Sequence, residues 1–302
     1  MRYGMMLSDA SGLDSLIEQA RRLAEDGFQT AWMSQIFGMD ALTALAVVGR
    51  EVPGIELGTA VIPTYPRHPM MLAQQALTTQ AAIGGRLALG IGLSHQIVIE
   101  NVFGYSFEKP ARHMREYLSI LRPLIHEGTV NFQGETLKAM TMMPVSIPGA
   151  TPMPILLAAL APQMLKLAGT VGDGTVTWMT GPGTVADHIA PTINAAAADA
   201  GRPAPRISVG LPICVTNDVA QARETAASTF SIYGQLPSYR AMLDREGAAG
   251  PADVAIVGDE DTVAKQLQAV AEAGATDFAA APFGSAEEIE RTRALLKSQL
   301  TH

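Results

Sequence analysis

The chain has 302 residues, 48% of them hydrophobic and 17% charged, which excludes a disordered or fibrous polymer and predicts a soluble protein with a sizeable core. Lysine and arginine total 21 against 29 aspartates and glutamates, and the net charge of −8 offers no electrostatic footprint for nucleic acid or an anionic membrane. A single cysteine excludes an internal disulfide and any cysteine-cluster metal site.

The opening Met1-Arg2-Tyr3-Gly4-Met5-Met6-Leu7 lacks the apolar core and cleavage site of a signal peptide. No apolar run approaches the roughly 18 residues that span a bilayer, so a cytoplasmic protein is expected. Arg2 to Leu7 reads as a first strand. Ser11 to Asp26 reads as a helix with Leu13, Leu16, Ile17, Ala20 and Leu23 on one face, stopped by Gly27. Thr30 to Ser34 is the next strand, and Asp40 caps a helix through Val48. Ile55 to Ile62 is a third strand, Pro69 to Ile83 a third helix and Leu87 to Ile91 a fourth strand. The rhythm resumes with a strand at Ile155–Ala159, a short helix from Pro162, a strand at Thr175–Trp178 and an alanine-rich helix from Val185 to Ala200. Ile207 to Val215 is a seventh strand, with Asp218 capping the helix after it. A helix at Asp261–Ala273, a strand at Asp277–Ala281 and a helix at Ala286–Leu300 close the chain.

Eight apolar strands, each followed by a helix, predict a parallel sheet covered by helices, and at this length a closed (β/α)8 TIM barrel. Residues 1–302 are read as one such domain. Two insertions interrupt it, at about 93–153 after strand four and 229–260 after strand seven. The first holds a helix at Pro110–His126 and a hairpin around Phe132-Gln133-Gly134-Glu135; the second holds Ser238 to Leu243. Both follow strand C-terminal ends, the face where barrel active sites lie, and are candidate lids, interface segments or surface decoration.

Few residues carry obvious chemistry. Gly90-Ile91-Gly92-Leu93-Ser94 suits either a tight packing turn or close approach to a ring or phosphate. Arg67 and His68, in the proline-rich stretch Ile62 to Pro69, either hold that turn or bind an anion. The six histidines, at 68, 95, 113, 126, 188 and 302, show no metal-ligand spacing, and no metal is expected. His95, directly after the glycine turn of strand four, is the one candidate for lining a site. Cys214, in an apolar run, reads as a buried inert thiol. Phe37, Met39, Trp178 and Met179 fall near strand ends, where they either plug the barrel or line an apolar substrate pocket. A barrel with no evident nucleophile, metal or acid/base pair needs a cofactor to carry a reaction.

The chain resembles the bacterial luciferase-like family of flavin and deazaflavin oxidoreductases over nearly its whole length. The resemblance rests on Ala24 to Phe28 with Trp32-Met33-Ser34, Leu57 to Val61, Tyr65-Pro66-Arg67-His68-Pro69, Gly85 to Gly92 and Ala168 to Gly174, in that order. Within the family it is most similar to the branch using coenzyme F420, an 8-hydroxy-5-deazaflavin. The resemblance implies a (β/α)8 barrel, a homodimer, and hydride transfer between F420 and an organic substrate; FMN-dependent monooxygenation and non-catalytic cofactor binding are the alternatives. It implies that Gln35 presents a polar group to the ring and that Ala60-Val61 forms a bulge with a non-prolyl cis peptide behind it. It also implies that Gly92, Leu93, Ser94 and His95 border the cofactor side chain, with Ala159, Leu160, Ala161 and Pro162 making another contact. Arg112 and Arg115 then either meet the tail phosphate or form a solvated helix face. Two departures bear on the substrate. Ile36 stands where related dehydrogenases place a histidine, and Trp178 to Pro182 lacks the lysine of the sugar-phosphate-oxidising relatives. An apolar or neutral substrate is therefore expected, with His95 as the candidate proton donor.

Overall fold

A computed structural model of the chain describes residues 1–300; His302 lies outside the described residues. The strands are β1 (Arg2–Met6), β2 (Thr30–Met33), β3 (Glu56–Thr59), β4 (Ile62–Pro63), β5 (Leu87–Gly92), β6 (Asn131–Gln133), β7 (Lys138–Met140), β8 (Ile155–Leu157), β9 (Gly174–Trp178), β10 (Arg206–Val215), β11 (Ile256–Gly258) and β12 (Asp277–Pro282). Parallel pairing runs β1-β2-β3-β5-β8-β9-β10-β12 and returns to β1, which closes an eight-stranded TIM barrel. These are the eight strands expected from the apolar runs. β6 and β7 pair antiparallel as the expected hairpin.

Three differences from the expected elements stand out. The third strand, expected to be continuous from Ile55 to Ile62, is split into β3 and β4. Between them the Thr59 hydroxyl takes over the ladder, donating to the Gly90 carbonyl at 2.7 Å and accepting from the Gly90 N–H at 2.8 Å. The Ala60–Val61 peptide that follows is cis. β11, which pairs with the upper end of β10, lies inside the second insertion; three residues are too short to declare a period. The alanine-rich helix also begins as a π-helix over Val185–Ile189 before continuing as an α-helix from Ala190. Pro191 has no N–H to donate, so the regular ladder cannot run through it.

Expected caps form. Asp40 accepts from the Thr43 N–H at 2.9 Å, and Asp218 from the Gln221 N–H at 3.0 Å. Helix Pro110–His126 runs over its expected span, and its Glu116 carboxylate accepts from the backbone N–H groups of Glu135, Thr136 and Leu137, pinning the hairpin turn. Those bonds hold its carboxyl down at about 2, against the desolvation that opposes them.

The main core fills the layer between barrel and helices. Inside the barrel sits a second cluster, Trp32 with Ala88, Leu156, Val176 and Ala279. Trp32 fits because its neighbour on β3 is Gly58, where an added Cβ would overlap the indole ring. Its N–H donates to the Thr30 hydroxyl at 2.9 Å. Beneath it the barrel is closed by ion pairs: Arg206 meets Glu56 at 2.9 Å and Asp277 at 2.6 Å, and Arg2 reaches the same two carboxylates at 3.3 Å. The Arg206 guanidinium lies 5.8 Å from the Trp32 ring centroid. The interior is thus a packed plug, and only its C-terminal end can hold a ligand. No helix among the described residues is long and apolar enough to cross a membrane.

Candidate active site at the barrel mouth

Register partners in a parallel barrel share a face, so the inward positions can be followed up each strand. Above Trp32 they include Met6, Pro63, Gly90, Gly92, Trp178, Gly210, Pro212 and Ala281. Apart from Met6, Trp178 and the two prolines these are glycine or alanine, so few large side chains fill this end of the barrel. Val61 leans over this wall: a Cβ on Gly92 would lie 2.7 Å from its Cγ2 and 3.0 Å from the Ala158 Cβ. Gly90 is equally confined, beneath the Thr59 carbonyl. Of the two roles open to the glycine turn, packing against the bulge is the one these contacts require.

The expected cofactor residues lie on four neighbouring strand ends, those of β2, β3, β5 and β8. Gln35 accepts through Oε1 from the Ala41 N–H at 3.0 Å and from Arg67 at 3.4 Å; its amide nitrogen donates to no acceptor among the described residues. Arg67 also pairs with Asp40, and Tyr117 donates to its carbonyl at 3.0 Å. His68 caps the helix Pro69–Ala82 through Nδ1, and its Nε2 meets the Lys138 carbonyl at 3.1 Å. Both residues therefore hold the proline-rich turn. Leu93 and Ser94 are half-buried, and Ser94 is left-handed with φ 62°, an outlier of the kind that collects at functional sites. Ala159 is fully buried, its carbonyl accepting from the Thr175 hydroxyl at 3.3 Å, and the Leu160 carbonyl meets His188 Nε2 at 2.8 Å. Ala161 and Pro162 are exposed at the start of helix Pro162–Thr170, where no side chain caps the first N–H groups. Arg112 is paired with Glu135, whereas Arg115 is solvent-exposed.

The four expected pocket residues divide. Trp178 faces the mouth. Met179, the next residue, turns through φ 52° and is fully buried in the barrel–helix core, so it does not line an open pocket. Alternation along β9 sends 178 inward and 179 outward. Met39 is half-buried against that core as well, and Phe37 is 66% exposed beside Ile36 at 62%, a solvent-facing pair on the loop after β2.

His95 precedes helix Gln96–Asn101 and packs its ring on Tyr239, centroids 5.4 Å apart. Tyr239 meets Tyr233 edge-on at 5.4 Å; Trp178 meets Tyr233 at 5.7 Å and Phe230 at 6.1 Å, both edge-on. Phe230, Tyr233 and Tyr239 belong to the insertion after β10, which therefore roofs part of the mouth. Tyr239 belongs to the Ser238–Leu243 segment of the second insertion, but nothing in the spacing links it to Trp178 or His95. Burial lowers the His95 pKa and raises those of Tyr233 and Tyr239, so the group is uncharged at neutral pH. Nearby, Tyr65 stacks on His113 at 4.0 Å, and burial pushes the His113 pKa down to about 4 and that of Tyr65 up to about 12. A separate cavity of about 230 Å³, lined by Pro182, Arg223 and Glu246 among others, lies away from these residues.

The architecture is that of a TIM barrel whose C-terminal strand end forms a bowl with small residues on one side and an aromatic group on the other. The family model for luciferase-like monooxygenases matches residues 1–277, and the chain belongs to that family. A Mycobacterium tuberculosis protein, provisionally named a coenzyme F420-dependent oxidoreductase, is 30% identical over 329 residues, covering 90% of this chain and 92% of the relative. The F420-dependent tetrahydromethanopterin reductase of Methanopyrus kandleri superposes with a TM-score of 0.79 at 20% identity, over 98% of this chain and 96% of that one. The oxygenating component of 3,6-diketocamphane monooxygenase from Pseudomonas putida, in complex with FMN, superposes at 0.76 with 16% identity, over 98% and 96%.

Proposed function

We propose that this protein is a coenzyme F420-dependent oxidoreductase that moves a hydride between the deazaflavin and an apolar or neutral organic substrate. The observation that carries the reading is the bowl itself. Glycine and alanine line one side of it next to the Ala60–Val61 bulge, and the uncharged aromatic group lines the other. Such a bowl fits a flat ring with a flat partner laid on it. When bound, the deazaflavin supplies a ring carbon that gives or takes a hydride. The chain's own contribution is positioning and exclusion of water. Val61 and Ala60 back the ring, the free amide nitrogen of Gln35 offers it a donor, and Leu93 to His95 with Ala159 to Pro162 border the cofactor side chain. His95 is the proposed proton donor to the substrate in its protonated form, which its lowered pKa confines to more acidic pH. Reduction of an activated double bond or carbonyl is favoured over oxidation, because Ile36 removes the base of the dehydrogenases. A homodimer is the proposed assembly.

Titration of the purified protein with oxidised F420, and separately with FMN, tests this. A change in deazaflavin fluorescence at micromolar or tighter affinity, with no FMN binding, is expected. Preference for FMN would move the protein to the oxygen-activating side of the family. Binding of neither would remove the cofactor assignment, and tight binding with no turnover across a varied panel would make it a carrier.

A further inference from the structure

Within the insertion after β10, helix Pro237–Glu246 carries Tyr239 near one end and Glu246 at the other. The two are about two turns apart and so share a face, with the buried Met242 and Leu243 between them. The Glu246 carboxylate accepts from the Gly183 N–H at 2.9 Å and from the Thr184 N–H at 2.6 Å. These N–H groups belong to the first turn of the helix that starts at Pro182, just after Trp178, where unpaired donors and the helix dipole favour an anion. The Thr184 hydroxyl adds a bond to the Met242 carbonyl at 3.3 Å. Among the described residues, no other hydrogen bond ties helix Pro237–Glu246 to the barrel; those of Arg240 stay within the insertion.

Two glycines make room for this contact. An added Cβ on Gly181 would lie 2.4 Å from the Glu246 Cδ, and one on Gly183 would lie 3.1 Å from its Oε1. Neither glycine is left-handed, so close approach, and not backbone conformation, is what a side chain there would disturb. At the other end of the helix, Tyr239 is the titratable side chain in contact with His95, and burial alone lowers the imidazole pKa. We infer that Glu246 is a positioning residue for His95: seated on the Gly183 and Thr184 N–H groups, it holds helix Pro237–Glu246 so that Tyr239 keeps the imidazole covered at the barrel mouth. This rests on the reading of His95 as the proton donor, whose exposure and acidity the insertion then sets. Without the carboxylate the helix is released, water reaches His95, and the imidazole keeps its proton to higher pH.

The test is an NMR titration of the His95 imidazole, identified by the signal missing from His95→Gln, in wild type, Glu246→Ala, Gly181→Ala and Glu246→Gln. Gly181→Ala attacks the contact from the other side, displacing the flexible carboxylate beside a cavity of about 230 Å³ while leaving Glu246 in the chain. In Glu246→Ala and Gly181→Ala the His95 midpoint should rise towards the ordinary imidazole value of about 6.5. His113, held at about 4 in its separate stack with Tyr65, should not move. Glu246→Gln, which keeps the length and one acceptor oxygen, should stay nearer to wild type than to Glu246→Ala. An unchanged His95 midpoint in both disrupted variants, a shift shared equally by His113, or a glutamine variant no better than alanine would overturn the inference. Wild type gives a second readout that needs no variant to fold. The Gly183 and Thr184 amides should exchange at least tenfold more slowly than Gln163 and Met164, which hold the same places in the uncapped first turn of helix Pro162–Thr170. Equally fast exchange at both pairs would also overturn it. Oxidised F420 is titrated separately by deazaflavin fluorescence. A wild type that fails to bind it would strike the oxidoreductase reading, and the His95 titration would still decide the role of Glu246.

Discussion

His95 combines a position at the mouth, a ring packed on Tyr239 and a pKa lowered by burial. If it delivers the substrate proton, His95→Ala should lower kcat of F420-coupled reduction by about a hundredfold while leaving the Kd for F420 unchanged, which a paired kinetic and fluorescence titration reads. The activity should also fall towards alkaline pH with a midpoint below the usual imidazole value of about 6.5. His113 tests a different property. Its folded pKa is about 4, so between about pH 6.5 and 4 the unfolded chain takes up a proton that the folded chain refuses. Its share of stability is complete above that window and is lost as the pH falls through it, by on the order of 3 kcal/mol. His113→Phe, which keeps the stack on Tyr65, should flatten this part of the pH dependence in urea unfolding.

Among the elements, the β6–β7 hairpin shows how one side chain can set the conformation of a distant turn. Its loop residues Glu135 to Leu137 are tied to helix Pro110–His126 by a single carboxylate, that of Glu116. Glu116→Ala should cost about 1–3 kcal/mol in denaturant unfolding and, more tellingly, raise amide exchange at residues 135–137. Because this carboxyl titrates near 2, its hold on the hairpin should be complete above about pH 4.5, its ordinary value, and be lost progressively as the pH falls to about 2. Helix spans and caps were legible from spacing, as Asp40 and Asp218 illustrate, because a cap depends on residues within three positions. The break at Thr59 was not, since it arises when a hydroxyl replaces the main-chain ladder to a strand 31 residues away.

Across the whole molecule, the barrel is closed below by Arg2, Glu56, Arg206 and Asp277, plugged by Trp32, and open only above. Asp277 is 1% exposed, and Arg206→Met would leave it with Arg2 as its remaining cation. Loss of about 3 kcal/mol is expected in urea unfolding, with F420 affinity unchanged because the floor lies on the far side of Trp32. Apolar runs, periodicity and joint residues were enough by themselves to determine eight strands, their helices and both insertions, since each depends on local pattern, while the family resemblance rested on motifs in order. Orientation and company were decided only by the tertiary structure. A left-handed residue sent Met179 into the core, and the loop after β2 left Phe37 in solvent. Phe230, Tyr233 and Tyr239 reached Trp178 and His95 only because barrel closure brings the insertion after β10 over the end of β9 and the loop after β5. Contacts between residues so far apart in the chain leave no periodic trace, because they are made by the packing of whole elements.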